Sequence, residues 1–183
     1  MNEREKMLRG EQYDSRDPGL VAARFEARRL CARLSALDPA DTDGRDAVLG
    51  ALLGAIGPGS WVESPFFCDY GAQIRLGARV FVNMACVFLD AAPITLGDDV
   101  QLGPAVQLLT SDHPRDAGER AAGLESARPI TIGDRAWLGG GVIVLPGVEI
   151  GRDSVIGAGS VVTRSLAAGV LAAGNPCQVI RTP

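Results

Sequence analysis

Residues 130–162 read ITIGDRAWLGGGVIVLPGVEIGRDSVIGAGSVV. Aliphatic residues stand at Ile132, Leu138, Val144, Ile150, Ile156 and Val162, one every six positions. Glycine follows them at 133, 139, 151 and 157. Two positions earlier the residues are small or aliphatic: Ile130, Ala136, Val142, Val148, Ser154 and Ser160. The same step runs upstream through Leu76, Val82 and Phe88, slips by two residues, and resumes at Leu96, Leu102 and Leu108. From Leu108 to Ile132 the distance is 24 residues, four further sixes. Simple alternation would mean a strand. A six-residue step with alternate residues turned inward and Gly at the corner means a parallel β-helix, each hexapeptide giving one short strand and one turn. Three hexapeptides close a coil, so the matches predict about four coils and a prism roughly 20 Å tall at the ~4.8 Å spacing of stacked strands. A β-sandwich with coincidental spacing leaves the single phase of the glycines unexplained.

The composition agrees. The chain has 183 residues, 23 Gly, 5% aromatics and 46% hydrophobic residues. Glycine suits tight corners, and a slim triangular core takes Val, Ile, Leu and Ala rather than rings. The net charge of −4 gives no support for nucleic-acid binding. One histidine, His113, rules out a two-His or three-His zinc site within one chain, and with it a zinc-dependent carbonic anhydrase on this kind of prism. No metal is expected. The cysteines (Cys31, Cys68, Cys86, Cys177) form no CxxC pair and read as reduced, mostly buried thiols of a cytoplasmic protein. The opening MNEREKMLRGEQYD lacks the apolar core of a signal peptide, and no stretch approaches the ~18 apolar residues of a membrane span.

Residues 1–57 read as helical. Asp17-Pro18 is a helix start, followed by Leu20, Val21, Phe25, Leu30 and Leu34 near helical spacing. Asp41-Thr42 starts another, whose stripe runs from Ala47 to Ile56 and ends at Gly57-Pro58-Gly59. The expected division is a helical segment over 1–60 and a β-helix over 61–183, interrupted by a polar loop over 110–129. That loop, TSDHPRDAGERAAGLESARP, carries His113. Polar excursions from a regular scaffold often carry function. Pro114 restricts His113 to extended backbone, and imidazole is the natural general base near neutral pH. A solvent-exposed loop histidine is the competing reading.

The motifs KMLRGEQYDSRDPGL, FFCDYGAQIRLG, FVNMACVFLDAAPITLGDDV, TSDHPRDAGER and AAGNPCQVIR together resemble the maltose/galactoside O-acetyltransferases, a hexapeptide family that includes nodulation-factor acetyltransferases. The resemblance implies a left-handed parallel β-helix, packed as a homotrimer with sites in clefts between subunits. It implies transfer of acetyl from acetyl-CoA to a sugar hydroxyl. His113 would be the general base, and the Gly140 backbone N–H would meet the oxyanion. Glu125, Asp112 or a backbone carbonyl would orient the imidazole. Asn83 and Asp69 would bind the acceptor, Phe81 would line its pocket, and Asp90 is a further candidate. Asn83 also suits a left-handed corner, and Asp90 a solvated turn. Trp137, Ala158, Thr163, Arg164 and Arg181 would flank the coenzyme, the arginines suiting its phosphates. The chain departs from the family at Ala85, where an amide is common, at Gln178, where Arg is common, and in LSALD. Other readings are an acetyltransferase for an amine, an antibiotic or serine, and a non-catalytic scaffold that would not need His113.

Overall fold

A computed structural model of the chain describes residues 1–182. Three helices come first: α1 (Glu3–Leu8), α2 (Pro18–Ala36) and α3 (Thr42–Leu52). Asp17 accepts hydrogen bonds from the Gly19 and Leu20 N–H groups and Pro18 fills the first turn, as the sequence predicts for α2. Asp41 caps α3 through the Gly44 N–H. Ala27, Cys31 and Leu34 of α2 and Val48, Leu49 and Leu52 of α3 join one continuous core with the first coil. Phe25 does not: it is 51% exposed.

The body is a left-handed parallel β-helix with three faces. The first face stacks Ala55–Ile56, Ile74–Leu76, Ile94–Leu96, Ile130–Ile132 and Glu149–Ile150. The second stacks Trp61–Val62, Phe81–Val82, Gln101–Leu102, Trp137–Leu138, Val155–Ile156 and Leu171–Ala173, closed by the antiparallel Gln178–Arg181. The third stacks Phe67–Cys68, Val87–Leu89, Gln107–Leu109, Ile143–Val144 and Val161–Val162. From Leu76 to Val162, none of the predicted inward positions exceeds 4% exposure. At the base, Phe66 and Phe88 meet edge to face with centroids 5.1 Å apart.

Two expectations need correction here. The helical reading runs too far: α3 stops at Leu52, and Ala55–Ile56 is already a solenoid strand paired with Arg75–Leu76. The solenoid therefore starts before residue 61 and has five strands on each of its first and third faces, not four coils. Ile56, Val62 and Cys68 keep the six-residue step, and a two-residue slip separates them from Leu76. Gly57-Pro58-Gly59 is a coil corner, whose residue types are also those of a helix stop.

The corners explain the charged residues of the repeats. Arg79, Asp99, Arg135 and Asp153 are left-handed, with φ of 55°, 58°, 57° and 61°. Arg79 pairs with Asp99 at 2.6 Å one coil on, and Arg135 pairs with Asp153 at 2.7 Å. Glycine is needed where coils touch. A Cβ on Gly97 would lie 2.7 Å from the Asp134 backbone nitrogen, and one on Gly103 2.5 Å from the Gly140 nitrogen.

The excursion is more ordered than a loop. It contains Ser111–Asp112, the short helix α4 (Ala117–Ala121) and Leu124–Ala127. Leu124–Ala127 pairs antiparallel with Ser111–Asp112 on one side and with Tyr13–Asp14 on the other. The N-terminal segment thus clamps the excursion as a three-stranded sheet.

Candidate active site

His113 lies just beyond Ser111–Asp112, where the chain leaves the third face, and its side chain is 54% exposed. Register sets Tyr13 opposite Glu125 across the small sheet. The fully buried Tyr13 hydroxyl donates to Glu125 Oε2 at 2.8 Å. Burial beside that carboxylate pushes the phenol well above its ordinary range, so Tyr13 stays a donor. The other carboxylate oxygen, Oε1, stands 4.0 Å from His113 Nε2, within ion-pair reach and beyond hydrogen-bond length. Asp112 is engaged elsewhere: Oδ1 accepts the His113 backbone N–H at 2.9 Å and Oδ2 faces Arg128 at 3.7 Å. Of the two carboxylates considered for the imidazole, Glu125 is the one that faces it. Tyr13 lies within the opening motif, but nothing in the sequence marks it as a site residue. Its partner lies 112 residues away, and no sequence spacing links them.

Asp69 follows the strand Phe67–Cys68 and is partly buried beside Arg24 and Arg28. Burial raises its carboxyl above the usual range, partly offset by those two arginines. Asp90 corrects the expectation of an acceptor contact. It is 0% exposed, and its oxygens accept the backbone N–H groups of Asp69 (3.1 Å), Tyr70 (2.8 Å) and Gln73 (3.3 Å). Its carboxylate shapes the turn that presents Asp69, and burial pushes its pKa up to about 6. Thr163 and Arg164 line a groove of about 480 Å³ with Asp112, Arg115 and Arg128. Three arginines, Arg115, Arg128 and Arg164, thus border one groove together with Asp112, the residue before His113.

The remaining candidates lie elsewhere on the same chain. Phe81 and Trp137 stand on the second face, each pairing in register with Gln101 between them, and are 38% and 53% exposed. Asn83, Gly140 and Ala158 occupy the corner where the second face turns into the third. Asn83 Oδ1 accepts the Met84 N–H at 2.8 Å. The left-handed residue of that corner is Ala85 (φ 61°), not Asn83. Gly139 and Gly141 donate their N–H groups to Ile156 and Pro104 carbonyls, whereas the Gly140 N–H has no acceptor among the described residues. Arg181 borders a separate cavity of about 520 Å³ with Asp153, Val155 and Leu171. On one chain the candidates therefore fall into two groups: His113, Glu125, Asp69, Thr163 and Arg164 at one corner, and Phe81, Asn83, Trp137, Gly140 and Ala158 along another.

A hexapeptide β-helix capped by an N-terminal helical segment is the architecture of an acyltransferase. Comparison with known proteins narrows the class. Residues 6–57 match the maltose acetyltransferase hexapeptide capping motif, and residues 129–164 match the bacterial transferase hexapeptide repeats. Nodulation protein L of Rhizobium leguminosarum bv. viciae is 47% identical over 97% of this chain and 94% of its own. A maltose O-acetyltransferase structure from Clostridium difficile 630 superposes with a TM-score of 0.97 at 43% identity, covering 100% of this chain and 97% of that one. A galactoside acetyltransferase in complex with coenzyme A superposes with a TM-score of 0.95 at 34% identity, covering 100% and 91%. The chain belongs to the maltose/galactoside O-acetyltransferase family of hexapeptide acyltransferases.

Proposed function

We propose that the protein transfers the acetyl group of acetyl-CoA to a sugar hydroxyl, with His113 as general base. The observation that carries this reading is the exposed His113 imidazole with the Tyr13-anchored Glu125 carboxylate behind it. A sugar hydroxyl is too weak an acid to ionise alone. As its oxygen attacks the thioester carbonyl carbon, the proton passes to the imidazole nitrogen turned away from Glu125. The carboxylate stabilises the imidazolium that forms. The tetrahedral oxyanion is met by the free Gly140 N–H. Collapse breaks the carbon–sulfur bond, and the leaving coenzyme A thiolate takes the proton from His113.

The residues fit the coenzyme as co-substrate. Arg115, Arg128 and Arg164 around one groove suit its phosphates, and Ala158, exposed and small, leaves room for the pantetheine arm. Asn83, Asp69 and Phe81 are the acceptor contacts in this reading. We further propose a homotrimer, in which the His113 corner of one chain meets the Asn83–Gly140 corner of its neighbour. Exposed Phe67, Phe81, Met84 and Trp137 on the second and third faces supply apolar surface for that packing. A cytoplasmic location fits the four free cysteines, and no helix of the described residues is long and apolar enough to cross a membrane.

The test is coenzyme A thiol release with maltose, glucose and galactosides beside amines, antibiotics and serine. Turnover with a sugar, lost in His113→Ala, is the expected result. Acetyl-CoA consumed only with an amine, antibiotic or serine overturns the sugar assignment, and full turnover without His113 overturns the base.

A further inference from the structure

Two thiols meet inside the molecule, directly behind the turn that carries Asp69. Cys31, in the C-terminal half of α2, and Cys68, on the lowest strand of the third face, bring their Sγ atoms to 3.8 Å. Both border a cavity of about 370 Å³ together with Arg28, Phe67 and Asp69. Each retains a little exposure towards it, 5% for Cys31 and 6% for Cys68. The other two cysteines have no such neighbour: Cys86 turns its sulfur to the Gly103 carbonyl and Cys177 is 2% exposed.

We propose that Cys31 and Cys68 form a peroxide-reactive dithiol site, Cys31 the attacking sulfur and Cys68 the resolving one. The asymmetry has a physical cause. The Sγ–Sγ contact, in which either thiol can donate, holds the Cys31 thiol below its ordinary range, and the same contact together with burial pushes Cys68 well above it. Arg28 adds a guanidinium at the same cavity.

The chemistry closes on one peroxide. The Cys31 thiolate attacks one peroxide oxygen, the O–O bond breaks, and the departing hydroxide takes a proton to become water. Cys31 is left as a sulfenic acid. The Cys68 sulfur then attacks the Cys31 sulfur, the S–O bond breaks, and a second water leaves with the Cys68 proton. Two thiols have lost two electrons to one peroxide, which is reduced to two waters. The two sulfurs stand in contact at 3.8 Å, and closing the bond to the ~2.05 Å of a disulfide brings them together by under 2 Å. The disulfide then staples α2 to the strand that precedes Asp69.

The experiment exposes the full-length protein to hydrogen peroxide, alkylates the remaining thiols after unfolding, and maps peptides by mass spectrometry. The expected product is a linked pair of peptides carrying Cys31 and Cys68, with Cys86 and Cys177 alkylated. In Cys68→Ser, dimedone should trap a sulfenic acid on Cys31, and in Cys31→Ser none should appear on Cys68. Wild-type protein whose Cys31 and Cys68 both remain alkylatable overturns the proposal. So does oxidation of Cys31 to the sulfinic acid without a cross-link, or faster oxidation of Cys86 or Cys177. The wild-type peptide map decides the matter even where a serine variant folds poorly, and none of these outcomes depends on the acyl acceptor.

Discussion

His113→Ala removes the only imidazole in the chain. Turnover should fall by about 10²–10⁴-fold, the usual worth of a positioned base. Coenzyme binding should persist, because the arginines of the Thr163–Arg164 groove are untouched; steady-state kinetics beside calorimetric titration with coenzyme A checks both. Tyr13→Phe acts one step back. It removes the hydrogen bond that fixes Glu125 and should lower kcat up to roughly tenfold, the worth of one net hydrogen bond, with KM for the acceptor little changed. Equal losses in kcat and thermal stability would point to packing alone. Asp90 supplies a pH signature. Its folded pKa, about 6, lies above the unfolded value near 3.8, so the folded chain binds the extra proton and this group costs stability as pH rises between those values. The wild-type advantage over Asp90→Asn in urea unfolding should therefore shrink from pH 3.5 to 7, by up to ~3 kcal/mol. His113 stood out in the sequence because it was alone and followed by Pro114. Asp90 is not legible as a buried residue because sequence shows that a residue is acidic, not that three backbone N–H groups surround it.

At the scale of the elements, the repeat was legible because each turn of it must satisfy the same corner. Gly103 shows how tightly: its ideal Cβ would stand 2.5 Å from the Gly140 nitrogen and 2.9 Å from the Gly139 carbonyl carbon, both backbone atoms held by neighbouring coils. Gly103→Ala should cost more than ~3 kcal/mol, in the range of severe overpacking, and lower the melting temperature of the whole solenoid. A change within a degree or two would mean that the coils yield more readily than their hydrogen bonds suggest. The base of the solenoid was harder to read. Ile56, Val62 and Cys68 obey the step, but strands of two residues give little local signal, and an adjoining helical stripe ran into them. The small sheet of the excursion was hidden for another reason. Leu124–Ala127 is held by Tyr13–Asp14, more than a hundred residues upstream, and such pairing leaves no period in the sequence.

At the scale of the whole molecule, the residues that the family motifs mark fall into two separate groups on a single chain. His113 and Glu125 stand where the third face ends, while Asn83 and the free Gly140 N–H stand where it begins. Sequence order cannot reveal that separation, since the residues of both groups alternate along the coils. A closed three-fold ring would unite the two corners at each of its interfaces, and mixing variants tests this directly. His113→Ala chains keep the Asn83–Gly140 corner, and Asn83→Ala chains keep the His113 corner. Each alone should form inactive rings. Co-expressed in equal amounts, an intact interface needs the base from an Asn83→Ala chain and the amide from a His113→Ala neighbour, so activity should return to about one quarter of wild type by random assembly. Sites built within single chains would leave the mixture as inactive as its parents, because no chain in it would hold both residues. Sedimentation of the mixed species as one trimeric mass distinguishes a failure to complement from a failure to assemble.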